Sequence, residues 1–242
     1  MIRAFITLVL SVSLCSAAIP WMFWPGQNEI TSGLIRWYKF NEGSGTDVFD
    51  SSPSAKHGTL VNSPIWTNSL NGVGKSLYFS RTLSNYVDTA TNAIGIKTVS
   101  FWINPATTNS GYIVTGYASS GGGNGFATLM SGPTNFQAGS LFVNDMTATN
   151  AIPQTNTWIF ISSIIQNGAN GKIYTNGVLL YSGTCSTEIA TTNRIRIGGR
   201  WNAANVAQSS GVLFEGFIDD VRIYNRALSD SEMLSLYRNG PR

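Results

Sequence analysis

From Gly33 onward, short apolar stretches, some alternating with polar residues at a period of two, are separated by clusters of Gly, Ser, Asn and Pro. That period sets one face of an extended chain against a core and leaves the other face polar. It predicts strands over Leu34–Lys39, Ser76–Phe79, Tyr86–Asp88, Thr98–Asn104, Tyr112–Gly116, Phe126–Met130, Leu141–Val143, Thr157–Gln166, Gly171–Thr175, Val178–Ser182, Arg194–Gly198 and Gly216–Tyr224. Asn176-Gly177 is the dipeptide favoured in a tight type I′ turn, so the strands on either side of it form a hairpin. A helical period emerges only at the end. There Ser229 and Glu232 make a capping box, Met233, Leu234, Leu236 and Tyr237 supply one apolar face, and Asn239-Gly240 supplies the stop. The whole pattern predicts an all-β, two-sheet antiparallel sandwich with one short C-terminal helix.

One run does not fit. In Gly216–Tyr224, Val221 and Ile223 share a face, and strict alternation puts Asp219 on that face too. A carboxylate among buried apolar neighbours must be paired, hydrogen-bonded or bound to a metal. The identity of its partner is therefore the first functional question.

Composition narrows the classes. Charged residues are 11% of the 242-residue chain and apolar ones 43%, which suits a folded domain rather than a disordered chain. The formal charge of +3 has no basic run behind it, so nucleic acid is not an expected partner. Met1-Ile2-Arg3, an apolar run to Leu14, and Cys15-Ser16-Ala17-Ala18 have the layout of a secretory signal peptide over residues 1–18. The run is too short for a permanent membrane span, and the expected location is secreted or at the cell surface. Acylation of Cys15 is the alternative, disfavoured by the bulky Leu14. Cleavage leaves Cys185 without a disulfide partner, and it is expected to be a small buried apolar residue. Residues 19–32, with Trp21, Phe23 and Trp24 beside two prolines, form a linker or an edge segment, and 33–240 form the domain.

Several motifs, in order, resemble the LamG-like branch of the concanavalin A-like lectin/glucanase superfamily. They are Trp37–Gly45, Asp50-Ser51-Ser52, His57–Leu60, Val99–Pro105, Asn156-Thr157-Trp158, Ile173–Gly177, Arg194–Gly199 and the Asp219–Ser229 run. The resemblance implies a jelly roll serving as a carbohydrate- or protein-binding module, often with one structural calcium. Departures are Ser84-Asn85, where relatives often carry acidic residues, and Lys56, whose charge lies beside the implied cation site.

No catalytic constellation is evident. Glu29, Glu42, Glu188, Glu215 and Glu232 are scattered and never alternate along one strand, and Asp219 and Asp220 are adjacent, so they are expected on opposite faces. His57 has no nucleophile motif near it. The expected protein is not an enzyme. For calcium, Asp50 and Asp219 are the expected side-chain ligands, with Glu42 and Asp220 in reserve. The competing reading is an Asx turn from Asp50 to Ser52, with Asp219 accepting backbone amides. Trp37, Phe40, Phe79, Phe101, Trp102, Trp158 and Phe217 are assigned to the core. Loop aromatics Trp66, Tyr117, Phe126 and Trp201 are candidates for sugar stacking, and Arg200-Trp201-Asn202, with Tyr117, is the preferred ligand set. The expected function is a secreted lectin-like glycan-binding module. The alternative is an adhesive or structural surface protein that binds protein partners or self-associates, with no sugar site.

Overall fold

The computed structural model describes residues 29–116, 125–140, 143–166, 168–185, 190–200 and 213–241. In chain order the strands are β1 (Leu34–Tyr38), β2 (Asp47–Val48), β3 (Gly58–Val61), β4 (Ile65–Asn68), β5 (Lys75–Phe79), β6 (Tyr86–Ile94), β7 (Thr98–Pro105) and β8 (Gly111–Gly116). There follow β9 (Phe126–Met130), β10 (Phe136–Ser140), β11 (Val143–Ala148), β12 (Ile159–Ile164), β13 (Gly168–Thr175), β14 (Val178–Cys185), β15 (Ala190–Ile197) and β16 (Gly216–Tyr224), then helix α1 (Asp230–Asn239). The first sheet runs β14-β13-β12-β7-β16-β5-β4, with β1 also on β16, and the second runs β11-β10-β9-β8-β15-β6-β3-β2. Neighbours pair antiparallel, as the alternation predicts. Strands β2, β3, β4 and β10 were not expected.

Apolar residues on the facing sides of the two sheets make one continuous core, including Phe79, Phe101, Ile161, Ile195, Ile218, Val221 and the buried Cys185. A second apolar layer lies on the outer face of the first sheet. There Trp37, Trp102, Phe160 and Tyr224 pack beneath Met233 and Leu236 of α1. The layer explains why Trp37 and Trp102 are buried without lying between the sheets. Trp158 and Phe217 share that outer face but are only half-buried, so their assignment to the core does not hold.

Both turn signals work as their chemistry requires. Asn176 and Gly177 adopt φ of 50° and 76°, and β13 pairs with β14 directly across them. At α1, the Ser229 hydroxyl accepts from the Glu232 amide while the Glu232 carboxylate accepts from the Ser229 amide. Glu232 also takes a bidentate pair from Arg226, which holds its carboxyl down at about 2. That contribution is complete above the ordinary value of 4.5 and is lost as pH falls through about 2. Ser229→Ala is expected to cost about 1 kcal/mol in urea denaturation at pH 7.

Strand β16 carries the irregularity that places the acidic residues. Asp219 faces Trp102 and Arg222 faces Ser100, so Asp220 and Val221 together oppose the single position of Phe101. This is a β-bulge, with Asp220 at φ 47°. It switches the inward parity from Ile218 to Val221 and Ile223. Asp219 therefore does not share the core face of Val221 and Ile223. On its other edge, β16 pairs with β5 through Gly216–Ile218 and with β1 through Val221–Tyr224. Asp219 and Asp220 occupy the junction between these two partners.

Candidate functional site

At this junction the two acidic residues take different roles. Asp220 is buried and paired with Arg222, Oδ1 to Nε at 3.1 Å and Oδ2 to Nη2 at 3.0 Å. Its Oδ1 also accepts from the Trp37 indole at 2.6 Å, and the Arg222 guanidinium lies over the same ring at 4.3 Å. Burial works against the Arg222 charge, but Asp220 outweighs it, and the guanidinium holds its proton more firmly than usual. Asp219 has no cation partner among the described residues. Its Oδ1 accepts from the Asp220 amide at 2.7 Å and its Oδ2 is bonded to the Ser69 hydroxyl. Burial pushes its carboxyl well above the usual range, against the Ser69 hydrogen bond, and the nearby charges of Asp220 and Glu42 add to the rise.

Asp50 stands elsewhere, with every oxygen occupied. Oδ1 accepts from the amides of Trp37 and Ser52, and Oδ2 from the Ser52 hydroxyl and the Lys56 amide, all at 2.8–2.9 Å. Its own amide donates to His57 Nδ1 at 3.0 Å. Asp50 thus makes the Asx turn to Ser52 and fastens the loop to β1. N–H and O–H donors crowd both oxygens, which does not suit a cation ligand. Glu42 is different: Oε1 accepts from the Phe49 amide, while Oε2 is buried and takes no hydrogen bond. Calcium prefers hard oxygen donors, including carbonyls and hydroxyls. The orphaned Glu42 oxygen and the proton-hungry Asp219 fit that chemistry; Asp50 does not. Among the described residues, no three His, Cys, Asp or Glu side chains come together as a metal-binding group.

A second feature lies on the outer face of the second sheet. Ile195 and Ile197 point to the core, so Arg196 points outward, as do Tyr86 before Val87 and Tyr112 beside Ala127 and Leu129. Arg196 stacks on Tyr86 at 3.7 Å and donates to its hydroxyl at 2.9 Å. Burial lowers the Arg196 proton affinity to about 10, which leaves it charged at neutral pH. Beyond the end of β15, Arg200 repeats the arrangement on Tyr112, 4.7 Å from the ring and 2.7 Å from the hydroxyl. Two guanidinium–phenol pairs thus stand side by side where the chain leaves the sheet. Alternation in β15 was legible beforehand, but Tyr86, Tyr112 and Arg196 were not singled out.

Of the preferred ligand set, Arg200 belongs to this arrangement, whereas Trp201, Asn202 and Tyr117 lie outside the described residues. Phe126 is fully buried in the inter-sheet core, and Trp66 packs on that core while its indole donates to the Gly45 carbonyl. Phe126 therefore cannot stack on a sugar, and Trp66 is half-buried. No helix among the described residues is long and apolar enough to cross a membrane.

Two sheets closed over one core, with a short helix on the outside of the first, define a lectin-like jelly roll. The chain belongs to the concanavalin A-like lectin/glucanases superfamily, and the Laminin_G_3 family model matches residues 80–233. No curated protein matches it. Among solved structures it is similar to domain 4 of AbnA, a GH43 extracellular arabinanase from Geobacillus stearothermophilus, in complex with arabinotriose. The identity is 21% and the TM-score 0.63, over 84% of this chain and 98% of that one. It is also similar to the binding domain of Paraclostridial Mosquitocidal Protein 1, with 14% identity and a TM-score of 0.64 over 86% of this chain; it spans only 52% of that one. A third likeness is to the Ruminococcus gnavus IT-sialidase CBM40 bound to α2,3-sialyllactose, with 15% identity and a TM-score of 0.50 over 60% and 83% of the two chains. At these identities the likeness is one of fold.

Proposed function

We propose that this protein is a non-catalytic, lectin-like module that acts outside the cell and binds glycans, with a structural calcium holding the loop after β1 against β16. The observation that carries the glycan reading is the pair of stacked Arg–Tyr units on the outer face of the second sheet. Stacking fixes each guanidinium plane: Arg196 is buried beneath this face, Arg200 is half-buried at its rim, and their positive charge favours a carboxylate-bearing sugar. Trp201 and Asn202, next in the chain after Arg200, would add a ring and an amide. Arabinotriose in the AbnA domain and sialyllactose in the CBM40 domain lend the reading support by fold analogy alone. Glu42 and Asp219 would supply carboxylate oxygens to the cation, and Ser69 a hydroxyl. Calcium there would neutralise the buried Asp219 and the half-buried Glu42 and tie the loop to the strand.

A glycan array at millimolar calcium, with and without chelator, tests this reading. Sialylated glycans are expected to bind, and Arg200→Ala to weaken that binding by about tenfold or more, the loss of one charge-assisted contact. An array on which no glycan binds in either condition would end the lectin reading.

A further inference from the structure

A different surface, on the opposite side of the sandwich, has the makings of a second ligand site. Strand register sets Phe217 of β16 beside Tyr78 of β5 on one side and beside Asn104 of β7 on the other. Ile159 pairs with Ile103, so Trp158, just before β12, lies level with Asn104. Trp158, Asn104, Phe217 and Tyr78 therefore form one lateral row across four neighbouring strands. Their inward neighbours Ile159, Ile103, Ile218 and Leu77 belong to the inter-sheet core, so the row faces outward. At the usual strand spacing the row is about 14 Å long.

The row is neither core nor ordinary surface. Elsewhere on this face, Trp102 and Phe160 are covered by Tyr237 of α1 and are only 1% exposed. Trp158 packs against the edge of that helix-covered layer, and Trp158, Phe217 and Tyr78 each remain half-buried. The rings support one another, Tyr78 to Phe217 at 5.0 Å and Trp158 to Phe217 at 6.1 Å. Between them, Asn104 Oδ1 accepts no hydrogen bond, an orphaned acceptor in the middle of an aromatic strip. At one end the half-buried Glu215 carboxylate lies 3.5 Å from the Tyr78 hydroxyl. A row of rigid rings, an unsatisfied amide and one acid is the mixture that recognises a molecule with apolar faces and hydroxyl edges.

We infer that the Trp158–Asn104–Phe217–Tyr78 row is a binding platform for a neutral oligosaccharide. Sugar C–H faces lie on the three rings, and sugar hydroxyls donate to Asn104 Oδ1, once the amide turns toward the ligand, and to Glu215. Glu215 brings negative charge to the row, which sets this surface apart from the Arg196–Arg200 face and disfavours acidic sugars. The inference shares with the proposed function only the premise that the module binds glycans, and it uses none of the same residues.

The test is calorimetric titration of the full chain with arabinotriose, cellotetraose and 3′-sialyllactose. A neutral oligosaccharide is expected to bind, and Trp158→Ala and Tyr78→Ala each to weaken it by about tenfold or more. Arg200→Ala is expected to leave that affinity unchanged while weakening sialyllactose. Tyr78, the less packed ring, keeps the test open if Trp158→Ala unfolds, and thermal melting identifies that case. Neutral-sugar binding that is unaffected by Tyr78→Ala, or no binding of either neutral sugar, overturns the platform. Sialyllactose binding with its Arg200 dependence would then still stand. A triple change of Trp21, Phe23 and Trp24 to Ser is expected to leave neutral-sugar affinity unchanged. Loss of neutral-sugar binding after that change would place the stacking rings in the N-terminal segment rather than on the row and overturn the inference.

Discussion

Asp220→Ala is expected to remove about 3–5 kcal/mol of folding stability, the largest loss of any single substitution considered. Among the described residues this carboxylate is the only counter-ion of Arg222, both side chains are 3% exposed, and the indole N–H of Trp37 ends on its Oδ1. Truncation would leave a buried guanidinium without its ion partner and a buried donor without an acceptor, and neither is rehydrated. Against a typical total of about 5–15 kcal/mol, that loss brings the domain close to unfolding at 37 °C. Part of it has a second origin, because position 220 sits at φ 47°, a region that aspartate and asparagine enter more readily than alanine. Asp220→Asn separates the two causes: it keeps the backbone preference and one acceptor but removes the charge. The double variant Asp220→Ala/Arg222→Met is expected to be more stable than Asp220→Ala alone, since it removes the unpaired charge as well. Chemical denaturation of the three variants checks the order. Equal stability of Asp220→Ala and the wild type would show that the ion pair contributes nothing net.

Much of the architecture was legible because a strand with one buried face must alternate. The hairpin at Asn176-Gly177 and the capping box at Ser229 were legible because each needs a specific side chain at a specific backbone conformation. The missed strands β2, β3 and β4 are two to four residues long, too short for a period to show. Strand β10 carries Gly139 in its interior. The bulge at Asp220 was invisible because period-two reasoning assumes an unbroken ladder, and one extra residue reverses every later assignment. Trp158 and Phe217 were misread for a related reason: the first sheet has an apolar layer on both faces, so a large ring at either parity looks like core. Asp50 and Asp219 looked like one site because both are acidic residues in family motifs. Only the hydrogen bonds distinguish a carboxylate saturated by amides from one still lacking a counter-charge.

That difference makes the second large prediction. With calcium at about a thousandfold excess over its dissociation constant, the proposed site would raise wild-type stability by about 4 kcal/mol, and Asp219→Asn is expected to abolish the gain. Glu42→Gln should do the same. Asp50→Asn, by contrast, should destabilise the protein equally with and without calcium, because what it disturbs is acceptance from the Trp37, Ser52 and Lys56 donors. In chelator the sign for Asp219 reverses. Its carboxyl is raised in the folded state, by burial first, so protonation favours folding. That stability is present in full below the ordinary aspartate value near 3.8 and is lost as pH rises through the folded-state value. Chelated wild type should therefore gain from this group as the solution is acidified, Asp219→Asn should lack that part of the pH dependence, and at pH 7 the variant should be at least as stable as the wild type. Thermal melting at several pH values, with and without calcium, reads all of these at once. A wild-type midpoint that ignores calcium would remove the cation and leave Asp219 as a buried acid held by Ser69 and the Asp220 amide.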